Sequence, residues 1–242
     1  ILLATGPTGS GKSTTLFAAL NEINTPTKNI VTIEDPVEYQ LEGINQVQSN
    51  NAAGLTFAKT LRSILRQDPD IVMVGEIRDE ETAEIAVRAA LTGHLVMSTL
   101  HTNDSVSSVT RLVDMGIPPY LVASTVIGAM APRLVRRLCN NCKEPYEAGI
   151  EEKEFLNVEE GTTLYKAKGC NKCSETGYKG RLAVQEILTL DDKVEKMIVK
   201  GADEIDIKEY AETQGMVDFK HDGIEKVKQG LTSYEELARV IV

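Results

Sequence analysis

The chain has 242 residues, a formal net charge of −10, 42% hydrophobic residues, four cysteines and no tryptophan. That length suits one domain with an appendage or two small domains, and the apolar runs among its 26% charged residues exclude a fully disordered chain. The acidic balance argues against a chain-wide nucleic-acid surface, and no stretch approaches the roughly 20 apolar residues that span a bilayer.

In chain order, Ile1–Thr5 reads as a buried strand running straight into a glycine loop. It lacks the basic, apolar, small-residue order of a signal peptide, and this abrupt opening suggests a piece of a longer protein. Helical character follows over Thr14–Ile23, then a strand over Asn29–Glu34 and a short alternating strand over Gly43–Gln48. Thr56 can cap a helix whose apolar positions Phe57, Leu61, Ile64 and Leu65 share one face. Ile71–Val74 is a fully apolar strand; Asp79 opens a helix with Ala83, Ala86, Val87, Ala90 and Leu91 on one face; Leu95–Leu100 is another strand. Pro118-Pro119 precedes what reads as a long apolar helix through Met130. Alternating strands and helices with continuously apolar strands predict an α/β fold, a mainly parallel sheet covered by helices on both faces.

The texture changes near Pro132. Residues 133–182 are rich in Cys, Gly, Lys and Glu with few apolar runs, which reads as a small module held by something other than a core. Helical patterns return after Leu182, with Gly230 ending one helix and Thr232 with Glu235 forming a capping box for the last. The expected division is a core at 1–131, a tetracysteine module at 132–184 and a C-terminal helical segment at 185–242. Acidity is concentrated late: residues 139–242 hold 22 Asp and Glu against 15 Lys and Arg, whereas residues 1–138 hold 14 against 11.

Gly6-Pro7-Thr8-Gly9-Ser10-Gly11-Lys12-Ser13, followed by Thr14, is a full G-x-x-x-x-G-K-[ST] loop. Its glycines let successive backbone N–H groups point inward at phosphate oxygens, and the following helix N-terminus adds partial positive charge. Lys12 reaches β- and γ-phosphates, and the Ser13 hydroxyl holds Mg²⁺. The alternative is an ordinary glycine turn. Hydrolysis also needs a metal-holding carboxylate and a base for water. Glu76, after Ile71–Val74 and Gly75, stands where a strand-end carboxylate can meet Mg²⁺. Glu34, Asp35 and Glu38 form a second acidic cluster, which Pro36 turns toward the same edge. Two carboxylate sites allow one to serve the metal and one the water. His101 ends its strand at that edge, where it could sense phosphate or orient water; His94 lies at the far end of the same strand.

Cys139-Asn-Asn-Cys142 and Cys170-Asn-Lys-Cys173 are two C-x-x-C knuckles, a pattern suited to tetrahedral Zn²⁺ in a structural role. Two disulfides or free thiols are the alternatives, and a reducing cytosol disfavours the former. Bound metal would also explain how a core-poor segment stays folded.

The segments GPTGSGKSTTL, TIEDPVEY, LRQDPDIVMVGEIRD, LTGHLVMSTLHTNDS and the paired knuckles occur in the order found in the secretion ATPase superfamily. Over essentially its whole length the chain resembles the type IV pilus assembly and type II secretion ATPases. The resemblance implies a RecA-like P-loop NTPase using ATP and Mg²⁺, with Glu38 (or else Glu34) as general base, Glu76 at Mg²⁺ and His101 near the γ-phosphate. It also implies a cytoplasmic hexameric ring, peripheral at the inner membrane, that acts on a platform protein there without entering the bilayer or binding nucleic acid. Family members carry a further N-terminal domain that supplies arginine fingers, so this chain alone is expected to bind ATP and hydrolyse it slowly. Pro132 departs from the family, where Gln is frequent. Other classes are a DNA-translocating ring ATPase, disfavoured by the acidity and the lack of clustered aromatics, a nucleotide-switched zinc interaction module, and a small-molecule kinase, for which no acceptor motif is present.

Overall fold

A computed structural model describes residues 1–241. They form two compact units, the first comprising residues 1–131 and 187–216 and the second residues 132–186 and 217–241.

The first unit is a mainly parallel sheet clothed on both faces. Its strands are β1 (Leu2–Thr5), β2 (Ile30–Glu34), β3 (Asn45–Gln48), β4 (Ile71–Val74) and β5 (Leu95–Leu100), joined by β6 (Gly128–Leu138) and β9 (Tyr178–Thr189), in the order β3-β2-β4-β5-β1-β6-β9. The pairings β1 with β5, β1 with β6, β2 with β3, β2 with β4 and β4 with β5 are all parallel. Strand alternation divides the core. Val31, Ile33, Val72, Val74 and Val96 face one cluster, with α2 (Phe57–Ile64), α3 (Glu80–Leu91), α4 (Ser105–Asp114) and α5 (Pro119–Thr125). Ile30, Ile71, Met73 and Met97 face the other, under α1 (Lys12–Ile23), which contributes Leu16, Phe17 and Leu20. A strand buried on both sides favours apolar residues at successive positions, which is why these runs are near-continuous rather than alternating. Thr56 and Asp79 cap α2 and α3 through their side chains.

The apolar stretch after Pro118-Pro119 is not one helix. α5 stops at Thr125, Val126 turns extended, and Gly128 begins the 11-residue strand β6. The outer side of β1 supplies the reason, because Leu2, Leu3 and Ala4 pair with Gly128, Ala129 and Met130. Ladder bonding there outweighs helical periodicity. Pro132 lies beyond the last residue paired with β1, so its missing N–H interrupts no bond of that ladder.

The second unit contains β7 (Glu144–Glu147) and β8 (Thr163–Lys166), an antiparallel pair, with α6 (Ile150–Leu156), α9 (Phe219–Lys228) and α10 (Tyr234–Ile241). It does have a core: Val135, Ala148, Leu156, Leu164, Val184, Ile224, Val227 and Leu237 are buried together. Sequence reading missed it because its apolar residues come as short, scattered groups between polar stretches and the cluster draws on α9 and α10, far along the chain. The expected helical segment 185–242 is accordingly shared out. α7 (Asp192–Lys200) and α8 (Glu204–Thr213) add Val194, Ile198, Ile207 and Ala211 to the first unit's core, while α9 and α10 serve the second. The last helix is capped one residue later than expected, with Ser233 Oγ accepting from Glu236 N–H at 3.3 Å. Thr232 instead donates to the Arg136 carbonyl. Among the described residues no helix is long and apolar enough to cross a membrane.

Candidate functional site

The carboxyl ends of the parallel strands form one edge. Following the strand order, β2 delivers Glu34 and the loop with Asp35 and Glu38, β4 delivers Gly75-Glu76, β5 delivers His101, and β1 delivers the glycine loop. Four separated sequence segments meet there because parallel strands all end on the same side.

The glycine loop takes backbone angles open mainly to glycine, with φ of 141° at Gly6, 79° at Gly9 and 99° at Gly11. Gly11 caps α1 without any side-chain hydrogen bond, and no acidic residue stands in the first turn. The helix therefore leaves its first N–H groups and their partial positive charge open to an anion. Lys12 is buried and donates to the carbonyls of Gly6 and Pro7 at 2.8 and 3.1 Å. Burial holds its ammonium below the ordinary lysine range, with Glu76 working the other way. Ser10 Oγ is also buried and meets no protein partner among the described residues. A concentration of donors short of acceptors is the chemistry a phosphate group fits. Pro7, Thr8, Gly9 and Thr14 are exposed around it, and Ser13 is half-buried.

Glu76 is held by its backbone neighbours on both sides. Gly75 N–H donates to Ile33 O at 2.7 Å, the Thr99 hydroxyl to Gly75 O at 2.6 Å, and Ile77 N–H to Thr99 O at 3.0 Å. A Cβ at position 75 would stand 3.0 Å from Ile33 O and 3.3 Å from Glu34 Cα, so glycine precedes the acid because β2 passes too closely for a side chain. The Glu76 side chain is 11% exposed; one oxygen is ion-paired to Arg78 at 2.6 Å and the other lies 3.6 Å from His101 Nε2. Glu76, Arg78 and Asp35 line one cleft of about 280 Å³.

The second acidic cluster separates into distinct roles. Glu34 is buried, and its Oε1 accepts from the Thr32 hydroxyl at 2.5 Å and from Gln46 at 2.9 Å. That carboxylate is turned to internal bonding. Asp35 and Glu38 are exposed, and the Glu38 loop is braced by the Tyr39 ring edge-on to Phe17 of α1 at 5.0 Å. His94 lies at the opposite end of β5, where its Nδ1 meets Ala89 O at 2.9 Å at the end of α3. Sequence reading missed Arg78 and Gln46. Their signals were an arginine two residues after Glu76 in an extended stretch and glutamines at alternate positions of an edge strand.

In the second unit the four cysteine sulfurs lie within 4.8 Å of one another. All four are free thiols, and Cys173 Sγ is 3.7 Å from both Cys142 and Cys170. Four thiolates at about 2.3 Å from one ion sit about 3.8 Å apart on a tetrahedron's edges, whereas a disulfide needs about 2.05 Å. N–H donors also reach the sulfurs, from Gly177 to Cys173 at 3.2 Å and from Asn141 to Cys170 at 3.4 Å, as around thiolates that hold a metal. The donor set and spacing fit a closed tetrahedral metal site.

The model of the family described as type II/IV secretion system protein matches residues 1–239. The type II secretion system ATPase E of Vibrio cholerae is 54% identical over 242 residues, covering 99% of this chain and 48% of that protein. The type IV pilus assembly ATPase PilB of Thermus thermophilus is 54% identical over 246 residues, covering 100% of this chain and 28% of its own. The crystal structure of the pilus retraction motor PilT with bound ADP superposes with a TM-score of 0.71 at 29% identity, covering 98% of this chain and 60% of that one. The chain spans about half the length of the first of these relatives.

Proposed function

The chain belongs to the type II/IV secretion system protein family, and we propose that it is the ATP-hydrolysing part of a cytoplasmic motor that drives type II secretion or type IV pilus assembly. The observation that carries this reading is the single sheet edge at which the glycine loop, Glu76, His101 and the Glu38 loop leave neighbouring strands. Gly6–Thr14 would wrap the phosphates with backbone N–H groups, and Lys12 would exchange its two carbonyl partners for β- and γ-phosphate oxygens. Ser13 and Glu76 would hold Mg²⁺, which when bound neutralises charge developing on the transferred group. Glu76 can turn from Arg78 to that duty without moving its backbone, which Ile33 and Thr99 fix. Glu38 would accept the proton of the attacking water at its carboxylate, and its exposure leaves that carboxylate accessible to solvent. His101 would stand between Glu76 and the γ-phosphate.

Cys139, Cys142, Cys170 and Cys173 would hold Zn²⁺, which when bound ties the two knuckles together and leaves no open coordination position. On this reading the motor works as a ring, with hexamer the expected size, peripheral at the inner membrane against a platform protein and without nucleic acid. The three-part division drawn from sequence assigns 1–131 to ATPase chemistry and 132–184 to the zinc module.

Phosphate release by the intact protein tests the reading. Lys12→Ala and Glu38→Gln should each lower turnover by about 10²-fold or more. Undiminished release in both variants would show that the site is misassigned.

A further inference from the structure

The segment that carries Glu38, residues 35–44, contains no helix or strand. What fixes it is largely one amide. β2 and β3 run parallel with Thr32 opposite Gln46 and Glu34 opposite Gln48, so strand alternation places these four side chains on one face. Gln46 Oε1 accepts the Leu41 N–H at 2.6 Å. Its Nε2 donates to Glu34 Oε1 at 2.9 Å and to the Tyr39 carbonyl at 3.1 Å. A primary amide offers two N–H donors and one oxygen, and here both donors and the oxygen are engaged. The partners also dictate which end is which, since a backbone N–H can meet only the oxygen, while a carboxylate and a carbonyl can meet only the nitrogen. Gln48 Oε1 adds a longer bond from Val37 N–H at 3.4 Å. Glu38 thus sits between Val37 and Tyr39, each tied to a glutamine of β3, and the Tyr39 ring rests against Phe17 on the helix that opens at the glycine loop.

We propose that Gln46, anchored by the buried carboxylate of Glu34, is a positioning residue that holds the Glu38 segment in register with the phosphate loop. The proposal rests on the reading of Glu38 as the group that takes the proton from water. Glutamine is required because glutamate keeps the acceptor for Leu41 but loses both donors and sets a second charge beside Glu34, while an aliphatic side chain loses all three bonds. Glu34, on this account, is the fixed end of the clamp: its position is set by burial and by the Thr32 hydroxyl.

The test compares the wild-type intact protein with Gln46→Ala, Gln46→Met and Glu38→Gln. Gln46→Met keeps the side-chain volume and so guards against a folding defect in the alanine variant. Affinity for a non-hydrolysable ATP analogue with Mg²⁺ should stay within about twofold. Exchange of the Leu41 amide hydrogen should speed up about tenfold, the scale of one or two lost hydrogen bonds, and kcat should fall about tenfold with KM little changed. Wild-type Leu41 exchange in the Gln46 variants overturns the clamp. So does wild-type kcat in those variants when Glu38→Gln is inactive, or a loss confined to KM. Wild-type turnover in Glu38→Gln instead defeats the assignment of the base, and Leu41 exchange then decides by itself whether Gln46 holds the segment.

Discussion

Glu236 on α10 is a buried carboxylate of the second unit held by four hydrogen bonds, and its replacement gives a sharp test of what holds that unit together. The carboxylate is 1% exposed and accepts from Arg136 N–H and Nε, both at 2.9 Å, and from Arg239 NH2 at 2.7 Å and Nε at 3.2 Å. Burial opposes the charged form, but the bonds from Arg239 and Arg136 overcome it and hold the carboxyl down from its ordinary 4.5 to about 2. A depressed carboxyl contributes stability that is fully present above the unfolded value and is lost as pH falls through the folded one. A shift of that size corresponds to about 3 kcal/mol at pH 7 and roughly half of that at pH 3. Both guanidiniums are half-exposed or more and can turn to water when the carboxylate is removed, which places the cost of Glu236→Gln nearer 2 than 4 kcal/mol. Urea unfolding of the two proteins at pH 7 and pH 3, followed by circular dichroism, measures both numbers. A cost below about 0.5 kcal/mol at pH 7, or one that is the same at both pH values, would refute the reasoning.

Two further outcomes follow from the same structure. Glu34→Ala removes the acceptor that anchors Gln46 and should lower turnover about tenfold, whereas Glu34→Gln keeps an oxygen for Thr32 and Gln46 and should cost far less than Glu38→Gln; equal losses in Glu34→Gln and Glu38→Gln would make Glu34 the base. Metal analysis should find about one Zn²⁺ per chain, and Cys139→Ser with Cys142→Ser should abolish it and lower the melting temperature of the second unit while nucleotide binding by the first persists; a metal-free protein with an unchanged melting temperature would leave the four cysteines without that role.

Much of the fold, and the gathering of most candidate site residues at one sheet edge, could be read in the sequence, and for local reasons. The glycine loop is legible because the backbone angles at Gly6, Gly9 and Gly11 and the N–H groups that line the loop come from consecutive residues. The apolar runs of β2, β4 and β5 are legible because strands buried on both faces are made mostly of apolar side chains in succession, the few buried polar ones (Thr32, Glu34, Ser98, Thr99) standing toward their carboxyl ends. The two C-x-x-C pairs are legible because short spacing brings each pair's sulfurs together before any tertiary contact forms.

Other features depended on partners distant in the chain. The apolar run after Pro118-Pro119 reads as one helix through Met130, and pairing with the free side of β1 makes Gly128–Met130 the start of a strand instead. Glu34, Asp35 and Glu38 look equivalent in sequence; Thr32 and Gln46 bury the first in internal bonds and leave the other two to solvent. α7 and α8 join a core assembled from the first 131 residues although they follow the cysteine module in the chain. Sequence by itself determined what depends on backbone geometry and nearest neighbours: the phosphate loop, the buried strands and the cysteine knuckles. Tertiary structure decided which carboxylate is spent on structure, which strand closes the sheet and which helices share a core, because each of those choices is made by hydrogen-bond partners and apolar faces that meet only once the chain has folded.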